Sequence, residues 1–302
     1  MLISRILSAL VMLVVFLSSM FLFSGRYFSF AIYIPSLLAL YEWSKLLHFK
    51  SHEKNFFLAI SLALIYFIDQ HLNSDDSKLI LLIASFFWLC IAPLFLIFKI
   101  NLKNFFLSSF VGWILVMPLI ISLNDLIELG PWIVLLVLTT IWLADSSAYF
   151  FGKQFGKKKL APTISPGKTW EGFLGALFIV SLFSIAMTYL GFVNSYKSIL
   201  FFDLILILSV EGDLFESYIK RMAKVKDSGD LIPGHGGVLD RIDSLCSSLP
   251  LATLILMTPV FFGKINVFLG ICFEFFVVKS KTVFFIALKK LDRNNFVIFL
   301  EE

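Results

Sequence analysis

Charged residues are scarce in this chain. Only 15% of its 302 residues are Asp, Glu, Lys or Arg, whereas 59% are hydrophobic and the mean hydropathy is +0.92. A soluble domain has about a quarter of its residues charged and roughly half apolar. Because a soluble fold must cover its surface with polar groups, this composition excludes an ordinary soluble domain. It predicts an integral membrane protein, whose surface faces lipid.

Cysteine is scarce as well, which excludes two kinds of site. The three cysteines, Cys90, Cys246 and Cys272, lie far apart in apolar stretches. They lack the paired spacing of a zinc site or a redox pair, so we expect buried or lipid-facing thiols. The sequence also lacks internal repeats, low-complexity linkers and a separate soluble region. We therefore expect one polytopic membrane domain over 1–302, and no nucleic acid as a partner.

The hydrophobic residues form long runs. About 20 apolar residues in a helix cross a hydrocarbon core about 30 Å thick. Nine runs meet this requirement: 6–24, 28–47, 55–71, 79–98, 104–122, 131–151, 172–193, 198–219 and 244–262. The fold class predicted is therefore all-α, an integral membrane bundle of about nine transmembrane helices. A shorter run at 265–278 is either a short tenth crossing or an interfacial helix, and the sequence leaves both open.

Basic residues are distributed unevenly between the connecting segments. One side would carry Lys45, Lys50, Lys54, Lys99, Lys103, Lys153, Lys157, Lys158, Lys159, Lys168, Lys220, Arg221, Lys224, Lys226 and Arg241. The other would carry Arg26, Lys78 and Lys197 with the acidic Asp75, Asp76, Asp125 and Glu128. Cytoplasmic loops carry the excess of Lys and Arg. The pattern predicts a cytoplasmic N-terminus, with the first run retained as a helix because no signal-peptide cleavage motif follows it.

Two long polar segments, 145–171 and 211–244, fall on the predicted cytoplasmic side. In the second, Asp213, Ser217 and Lys220 are spaced i, i+4, i+7, so they share a helix face. Asp240, Asp243 and Ser244 share a face of the next helix in the same way. Carboxylates at a membrane boundary are costly unless they face a polar cavity, and paired carboxylates suit Mg²⁺. The alternative is that Asp213 and Asp240 are helix ends in ion pairs, and residue spacing alone leaves both open.

The connection between these two helices is rich in glycine and lysine. Lys226, Asp227, His235, Gly236 and Gly237 lie in it. Glycine lets backbone N–H groups approach an anion closely, and lysine supplies charge, so the segment predicts phosphate binding. The histidine is a ligand, an acid–base group or an ordinary loop residue, and nothing in the sequence decides between these.

The first polar segment contains a lysine run and a Gly-Lys-Thr sequence. The Gly-Lys-Thr resembles the end of a P-loop, but Pro162 stands where that motif requires its first glycine, and a lysine-rich loop precedes it rather than a strand. We therefore reject a P-loop. Asp145, near the inner end of a predicted helix, is the more unusual feature of this segment. Ser165 and Lys168 are further candidates for contact with a phosphate.

These residues resemble those of a known family, the phosphatidate cytidylyltransferases or CDP-diacylglycerol synthases. The resemblance is strong over 130–262 and looser over 1–125. The residues matching the family signature are Ser217, Lys220, Arg221, Lys226, Asp227, Gly229, Ile232, Pro233, His235, Gly236, Gly237, Asp240, Arg241 and Asp243. The tail, 263–302, is longer and more basic than is usual in this family.

The resemblance implies a reaction and an assembly. CMP would pass from CTP to phosphatidic acid, giving CDP-diacylglycerol and pyrophosphate, in a dimeric membrane protein whose site faces the cytoplasm and the lipids. The compact size favours a bacterial inner membrane, although the sequence leaves an organelle membrane open. Asp213 and Asp240 would hold Mg²⁺, with Asp243 and Asp227 completing or orienting its ligands. The sequence does not decide whether a second cation joins them.

The remaining candidates would bind the substrates. Lys220, Lys226 and Arg241 would neutralise triphosphate charge, His235 with Gly236 and Gly237 would shape the pyrophosphate pocket, and Lys168 and Ser165 would hold lipid phosphate or nucleotide. Arg221, Ser217 and Asp145 would complete the site. Two alternatives remain open: a related CTP-dependent membrane enzyme acting on another lipid phosphate or a polyprenol, and a transporter with intramembrane carboxylates. A transporter would place such groups near the bilayer midplane rather than at one face.

Overall fold

The computed structural model describes residues 2–22, 25–191, 193, 198–232, 234 and 236–258. The described helices are α1 (Leu2–Leu22), α2 (Gly25–Leu46), α3 (Ser51–His71), α4 (Ser74–Phe86), α5 (Ala92–Phe98), α6 (Phe105–Leu129), α7 (Pro131–Phe155), α8 (Trp170–Tyr189), α9 (Ser198–Met222) and α10 (Leu239–Met257). A π-helical turn, Phe87–Ile91, joins α4 to α5, so residues 74–98 form one continuous helix. The two strands are β1 (Lys159–Ala161) and β2 (Ser165–Thr169).

The helical fold confirms the predicted class. Within the described residues the continuous helical segments number nine, and they follow the nine hydrophobic runs in order. Four of them are long and apolar enough to cross a membrane: Ser74–Phe98, Phe105–Leu129, Pro131–Phe155 and Trp170–Tyr189. The count of about nine crossings and the cytoplasmic N-terminus stay predictions. The tail, 263–302, and the short run within it lie outside the described residues.

Several helices extend beyond the predicted runs into the polar segments. Helix α7 continues to Phe155, four residues past the predicted run, so Asp145 lies well within the helix. Helix α9 continues to Met222 and carries Lys220 and Arg221 in its last turn, where cations interact favourably with the helix dipole. Hydrophobicity marks where a helix can lie in lipid and says little about where it ends. The site is therefore built on rigid helix ends more than on loops.

The core of the bundle surrounds α6. This helix is apolar on all sides, as is typical of a helix enclosed by others, and it packs against α2, α4, α7 and α10. Large aromatic side chains, including Trp43, Trp88 and Phe215, fill the spaces between the helices. By contrast, α8 exposes large apolar side chains such as Phe178 and Leu182 on the outside, which is expected of a face in contact with lipid.

Small residues allow two helix pairs to approach closely at the end of the bundle that carries the polar segments. A Cβ on Gly172 of α8 would lie 2.6 Å from the carbonyl oxygen of Ala148 on α7. A Cβ on Gly212 of α9 would lie 2.2 Å from Ser247 Oγ and 2.5 Å from the carbonyl oxygen of Asp243 on α10. Small residues at membrane helix interfaces permit this close packing. The contact at Gly212 places Asp213 beside the first turns of α10.

A short antiparallel hairpin connects α7 to α8, where the sequence analysis expected only a loop. Lys159 pairs with Thr169, and Ala161 with Ser165. The Thr169 hydroxyl accepts a hydrogen bond from the Gly172 N–H at 3.1 Å and so caps α8. The Glu171 carboxylate accepts hydrogen bonds from the backbone N–H groups that precede β1 (3.0 and 3.1 Å). These contacts fix the hairpin against the bundle and direct Lys168 towards α9.

Candidate active site

A cavity of about 530 Å³ opens where the hairpin meets α7, α9 and α10. It brings together residues that are up to about a hundred positions apart in the chain. The candidate site residues that line it are Asp145, Ser165, Lys168, Asp213, Lys220, Asp227, Asp240, Arg241 and Asp243. Tyr149, Phe173 and Val210 supply apolar parts of the wall. The cavity therefore combines several carboxylates and cations with apolar surface, a composition suited to a phosphate ester with a lipid portion.

Lys168 and Asp213 form the ion pair that faces this cavity. The Lys168 Nζ lies 2.7 Å from Asp213 Oδ2 and donates to the Val210 carbonyl oxygen at 3.2 Å. The two side chains keep 21% and 36% of their surface exposed, so both remain open to a ligand. Ser217 on α9 donates to Asp213 Oδ1 at 3.3 Å. The Ser217 hydroxyl therefore helps to orient the Asp213 carboxylate, and Ser217 itself does not line the cavity.

Asp213 lies at the centre of a group of acidic side chains. The charges of both Asp145 and Asp243 interact with that of Asp213. The Ser244 N–H donates to Asp243 Oδ1 at 2.8 Å, and Ser209 lies 3.4 Å from Asp145. Hard carboxylate oxygens of this kind are the ligands that Mg²⁺ prefers. Among the described residues, no three His, Cys, Asp or Glu side chains are arranged to hold a metal ion by themselves.

These carboxylates could supply part of the coordination of a Mg²⁺ ion. Mg²⁺ usually takes one or two carboxylates and keeps its other positions for water and substrate phosphates. Asp213 and Asp243 supply two carboxylates on the close-packed pair α9 and α10, and the cavity beside them has room for phosphates. The assignment of metal to these residues stays a prediction.

Lys220 is occupied by two carboxylates of the protein. Its Nζ lies 2.5 Å from Glu216 Oε2 and 2.6 Å from Asp240 Oδ1, and only 11% of the side chain is exposed. A buried ammonium is costly unless paired, and here two anions surround it. The role of Lys220 in neutralising triphosphate charge stays a prediction. In the structure this lysine joins α9 to the first turn of α10.

Asp240 accepts four hydrogen bonds. Besides Lys220 on Oδ1, its Oδ2 accepts from the Ser228 N–H (2.9 Å), the Ser228 hydroxyl (2.9 Å) and the Gly237 N–H (2.8 Å). Four donors hold this carboxylate in its ionised form. They also leave it few free lone pairs, since a carboxylate has about four acceptor positions. The metal role of Asp240 stays a prediction, and the visible role is to fold the connection between α9 and α10.

Other candidate residues lie beside the cavity rather than in its wall. Arg221 is exposed, and it donates to the carbonyl oxygens of Ile164 (3.3 Å) and Val225 (3.0 Å), so it ties the hairpin to the segment after α9. Lys226 is exposed outside the wall. Gly236 adopts a φ of +83°, which glycine accepts without strain, and its carbonyl accepts from the Ile232 N–H. His235 lies outside the described residues.

Glu42, on α2, was not among the predicted site residues. This carboxylate is buried, with 1% of the residue exposed, and it accepts hydrogen bonds from the N–H groups of Val238 (3.0 Å) and Leu239 (2.8 Å). It also lies 3.0 Å from the Ser228 hydroxyl, whose single proton is within reach of Asp240 as well. Glu42 therefore fixes the start of α10, next to Gly236 and Gly237, against α2. A signal existed: Glu42 is the only acidic residue in the run 28–47, and an ionisable group inside an apolar run is expected to have a partner or a function.

Two known proteins are similar to this chain over most of its length. The chain is 35% identical to a phosphatidate cytidylyltransferase of Haemophilus influenzae, covering 82% of this chain and 95% of that protein. It is 34% identical to a phosphatidate cytidylyltransferase of Pseudomonas aeruginosa, covering 83% and 96%. A third relative, from Staphylococcus aureus, is 50% identical over 120 residues, which are 39% of this chain and 46% of the relative. The model of the cytidylyltransferase family matches residues 3–258, and the chain belongs to that family.

Proposed function

We propose that this protein transfers CMP from CTP to phosphatidic acid, yielding CDP-diacylglycerol and pyrophosphate. Two relatives that match over more than four fifths of the chain carry the name of this activity. The structural observation that carries the proposal is the cavity at one end of the helical bundle, where Lys168, Asp213 and Arg241 meet apolar wall residues. A lipid phosphate can reach this cavity from the bilayer, and a nucleoside triphosphate can reach it from water.

The reaction needs charge neutralisation more than proton transfer. A phosphate oxygen of phosphatidic acid attacks the α-phosphorus of CTP. The new P–O bond forms as the bond from the α-phosphorus to the oxygen bridging towards the β-phosphorus breaks, and pyrophosphate leaves with the electron pair. Because the nucleophile is already an anion, no strong general base is required. Catalysis then depends on positioning and on electrostatic stabilisation of the developing charge.

The residues that face the cavity would have two roles, which are to bind phosphate groups and to hold Mg²⁺. Lys168 and Arg241 would contact phosphate oxygens, since both line the wall as cations. Lys168 would exchange part of its pairing with Asp213 for a phosphate. Asp213 and Asp243, with any free position on Asp240, would hold Mg²⁺, which would supply further neutralisation of phosphate charge. Ser165 and the neighbouring backbone would orient the group bound beside the hairpin.

The membrane arrangement is part of the same proposal. Nine crossings with a cytoplasmic N-terminus place the cavity on the cytoplasmic side of a bacterial inner membrane, where CTP is available. The uneven distribution of lysine and arginine supports this orientation. Clustering of the carboxylates at one end of the bundle favours an enzyme over a transporter, which would hold such groups near the midplane. A homodimer is the assembly that the family resemblance implies.

A matched pair of aspartate variants tests the proposal. Purified protein in mixed micelles is given phosphatidic acid, labelled CTP and Mg²⁺, and both products are measured. Asp213→Asn should abolish their formation, as should EDTA. Asp203→Asn is the control, because Asp203 lies on the same helix outside the cavity, bonded to Ser181 at 3.0 Å. Equal activity of the two variants would contradict the assignment of the cavity as the active site. Activity on a polyprenol or another lipid phosphate but not on phosphatidic acid would replace the proposed substrate.

A further inference from the structure

Helix α10 begins without a capping side chain of its own. Its N-cap residue is Val238, which has no side-chain acceptor, yet the first N–H groups of a helix have no partner within the helix. The Glu42 carboxylate takes that place from α2, almost 200 positions earlier in the chain. Its Oε1 accepts from the Val238 N–H at 3.0 Å and its Oε2 from the Leu239 N–H at 2.8 Å. The start of α10 is thus fixed by a helix from the other half of the protein.

The same carboxylate is linked to Asp240 through one hydroxyl group. Ser228 Oγ lies 3.0 Å from Glu42 Oε2 and 2.9 Å from Asp240 Oδ2, and its single proton is within reach of both. Asp240 lies one residue after the capped Leu239 and lines the cavity, as does its neighbour Arg241. Any displacement of the capped turn would therefore move two residues of the cavity wall.

At two glycines of the connection between α9 and α10, the backbone lies so close to the Glu42 side chain that no space remains for a Cβ atom. A Cβ on Gly237 would lie 2.4 Å from Glu42 Oε2 and 2.0 Å from Ser228 Oγ. A Cβ on Gly229 would meet only the Glu42 side chain among its three nearest atoms, at 2.5, 3.0 and 3.2 Å. Gly229 does not have a positive φ, so its backbone conformation does not by itself require glycine. The space that an alanine would need there is the space that the carboxylate fills.

We infer that Glu42 is a positioning residue for the proposed reaction, which sets Asp240 and Arg241 in the cavity by anchoring Ser228 and the first residues of α10, Val238 and Leu239. Glu42 itself does not line the cavity, so it acts through the residues it holds. This inference rests on the proposed function for its kinetic consequences. The anchoring itself is a property of the fold and is measurable without any substrate.

The first test compares Glu42→Gln with Ser44→Ala. Glutamine keeps one acceptor oxygen but turns an NH₂ group towards the donors, so one backbone N–H at the start of α10 loses its partner. Ser44 is a matched control because it is buried on the same helix and its hydroxyl donates to the Tyr41 carbonyl of its own turn. We expect Glu42→Gln to lower kcat about 10- to 100-fold, the range found for residues that orient direct ligands. The Mg²⁺ concentration for half-maximal rate should rise, while KM for phosphatidic acid stays close to that of Ser44→Ala.

A merely structural role would give a different pattern. Glu42→Gln would then lower Tm and the amount of folded protein, with an unchanged Mg²⁺ requirement in the fraction that folds. That result would overturn the inference, as would kinetic constants equal to those of the wild type.

A double-variant cycle provides the second test. Gly229→Ala should lower kcat in the wild-type background, because its Cβ collides with the carboxylate. In a Glu42→Ala background the same substitution should cause no further loss, since the space is vacated. Losses that multiply in the double variant would show that Gly229 and Glu42 act independently, contrary to the inference.

Amide hydrogen exchange separates this inference from the proposed function. In Glu42→Gln the amides of Val238 and Leu239 should exchange faster than in Ser44→Ala, whatever the substrate of the enzyme. If the wild type makes no CDP-diacylglycerol but this difference is seen, the proposed function fails and the anchoring stands. If the exchange rates do not differ, the anchoring fails.

Discussion

Lys220 offers the sharpest prediction about what holds the site together. Its ammonium lies between Glu216 and Asp240 at 2.5 and 2.6 Å, and the two carboxylate side chains are only 5% and 7% exposed. Replacing Lys220 by methionine keeps most of the side-chain volume but leaves two buried carboxylates facing each other. Removing one partner of a buried ion pair costs about 3–5 kcal/mol, because an uncompensated charge remains. We expect Lys220→Met to lower the free energy of unfolding by about that amount.

The exposed pair Lys78–Asp75 supplies the control for this variant. Its N–O distance is 3.1 Å, and the side chains are 41% and 93% exposed. Exposed ion pairs contribute about 0–1 kcal/mol, so Lys78→Met should leave stability almost unchanged. Thermal unfolding in detergent micelles measures both variants. An unfolding entropy of about 2.1 cal/mol/K per residue over 302 residues gives roughly 1.6 °C per kcal/mol, so Lys220→Met should lower Tm by roughly 5–8 °C.

A second substitution distinguishes charge from packing. Adding Glu216→Gln to Lys220→Met removes one of the two stranded charges, while Asp240 keeps its donors from Ser228 and Gly237. The double variant should therefore be more stable than Lys220→Met alone. If the double variant is less stable, or if Lys220→Met unfolds at the temperature of Lys78→Met, the description of Lys220 as the link between the two helices is refuted.

Three further variants test how the cavity is built. Thr169→Ala should cost about 1 kcal/mol by removing the cap of α8 and should raise KM for CTP by releasing the hairpin, whereas Thr169→Ser should restore both; thermal unfolding and initial rates measure this. Gly212→Ala should abolish activity, because its Cβ would lie 2.2 Å from Ser247 Oγ and would separate α9 from α10; wild-type kcat in this variant would contradict the close packing. Glu171→Gln should raise KM for CTP with little change in Tm, because it weakens the contacts that hold the segment before β1, and an unchanged KM would count against a role of the hairpin in binding.

Sequence periodicity and composition predicted the helices because lipid imposes a simple rule on them. Each apolar run corresponds to a helix in the described residues, since a chain in hydrocarbon must satisfy its backbone hydrogen bonds internally. The ends were predicted less well. Lys153 on α7 and Lys220 and Arg221 on α9 lie where the helices continue past the apolar runs, and there hydrophobicity no longer reports helix formation.

The membership of the site was predictable where residues of one signature are close in sequence. Asp213, Asp240 and Asp243 meet at one cavity because α9 and α10 are consecutive helices that pack against each other. The contacts that join distant parts of the chain around the cavity were not predictable. The contacts of Lys168 with Asp213 and of Glu42 with Leu239 join positions 45 and 197 residues apart, and no local pattern reports such contacts. The ion pair of Lys220 with Glu216 has the i, i+4 spacing of a helix face and was open to prediction, whereas its second pairing, with Asp240 on α10, was only one of the alternatives that the sequence left open.

The most direct test of the central claim is product formation by the wild-type protein itself. Purified full-length protein, Mg²⁺, phosphatidic acid and CTP labelled on the α-phosphorus are incubated in mixed micelles, and labelled lipid and free pyrophosphate are counted together. We predict labelled CDP-diacylglycerol and pyrophosphate in equal amounts, both lost with EDTA. Folded protein that binds CTP but yields neither product from phosphatidic acid would contradict the claim.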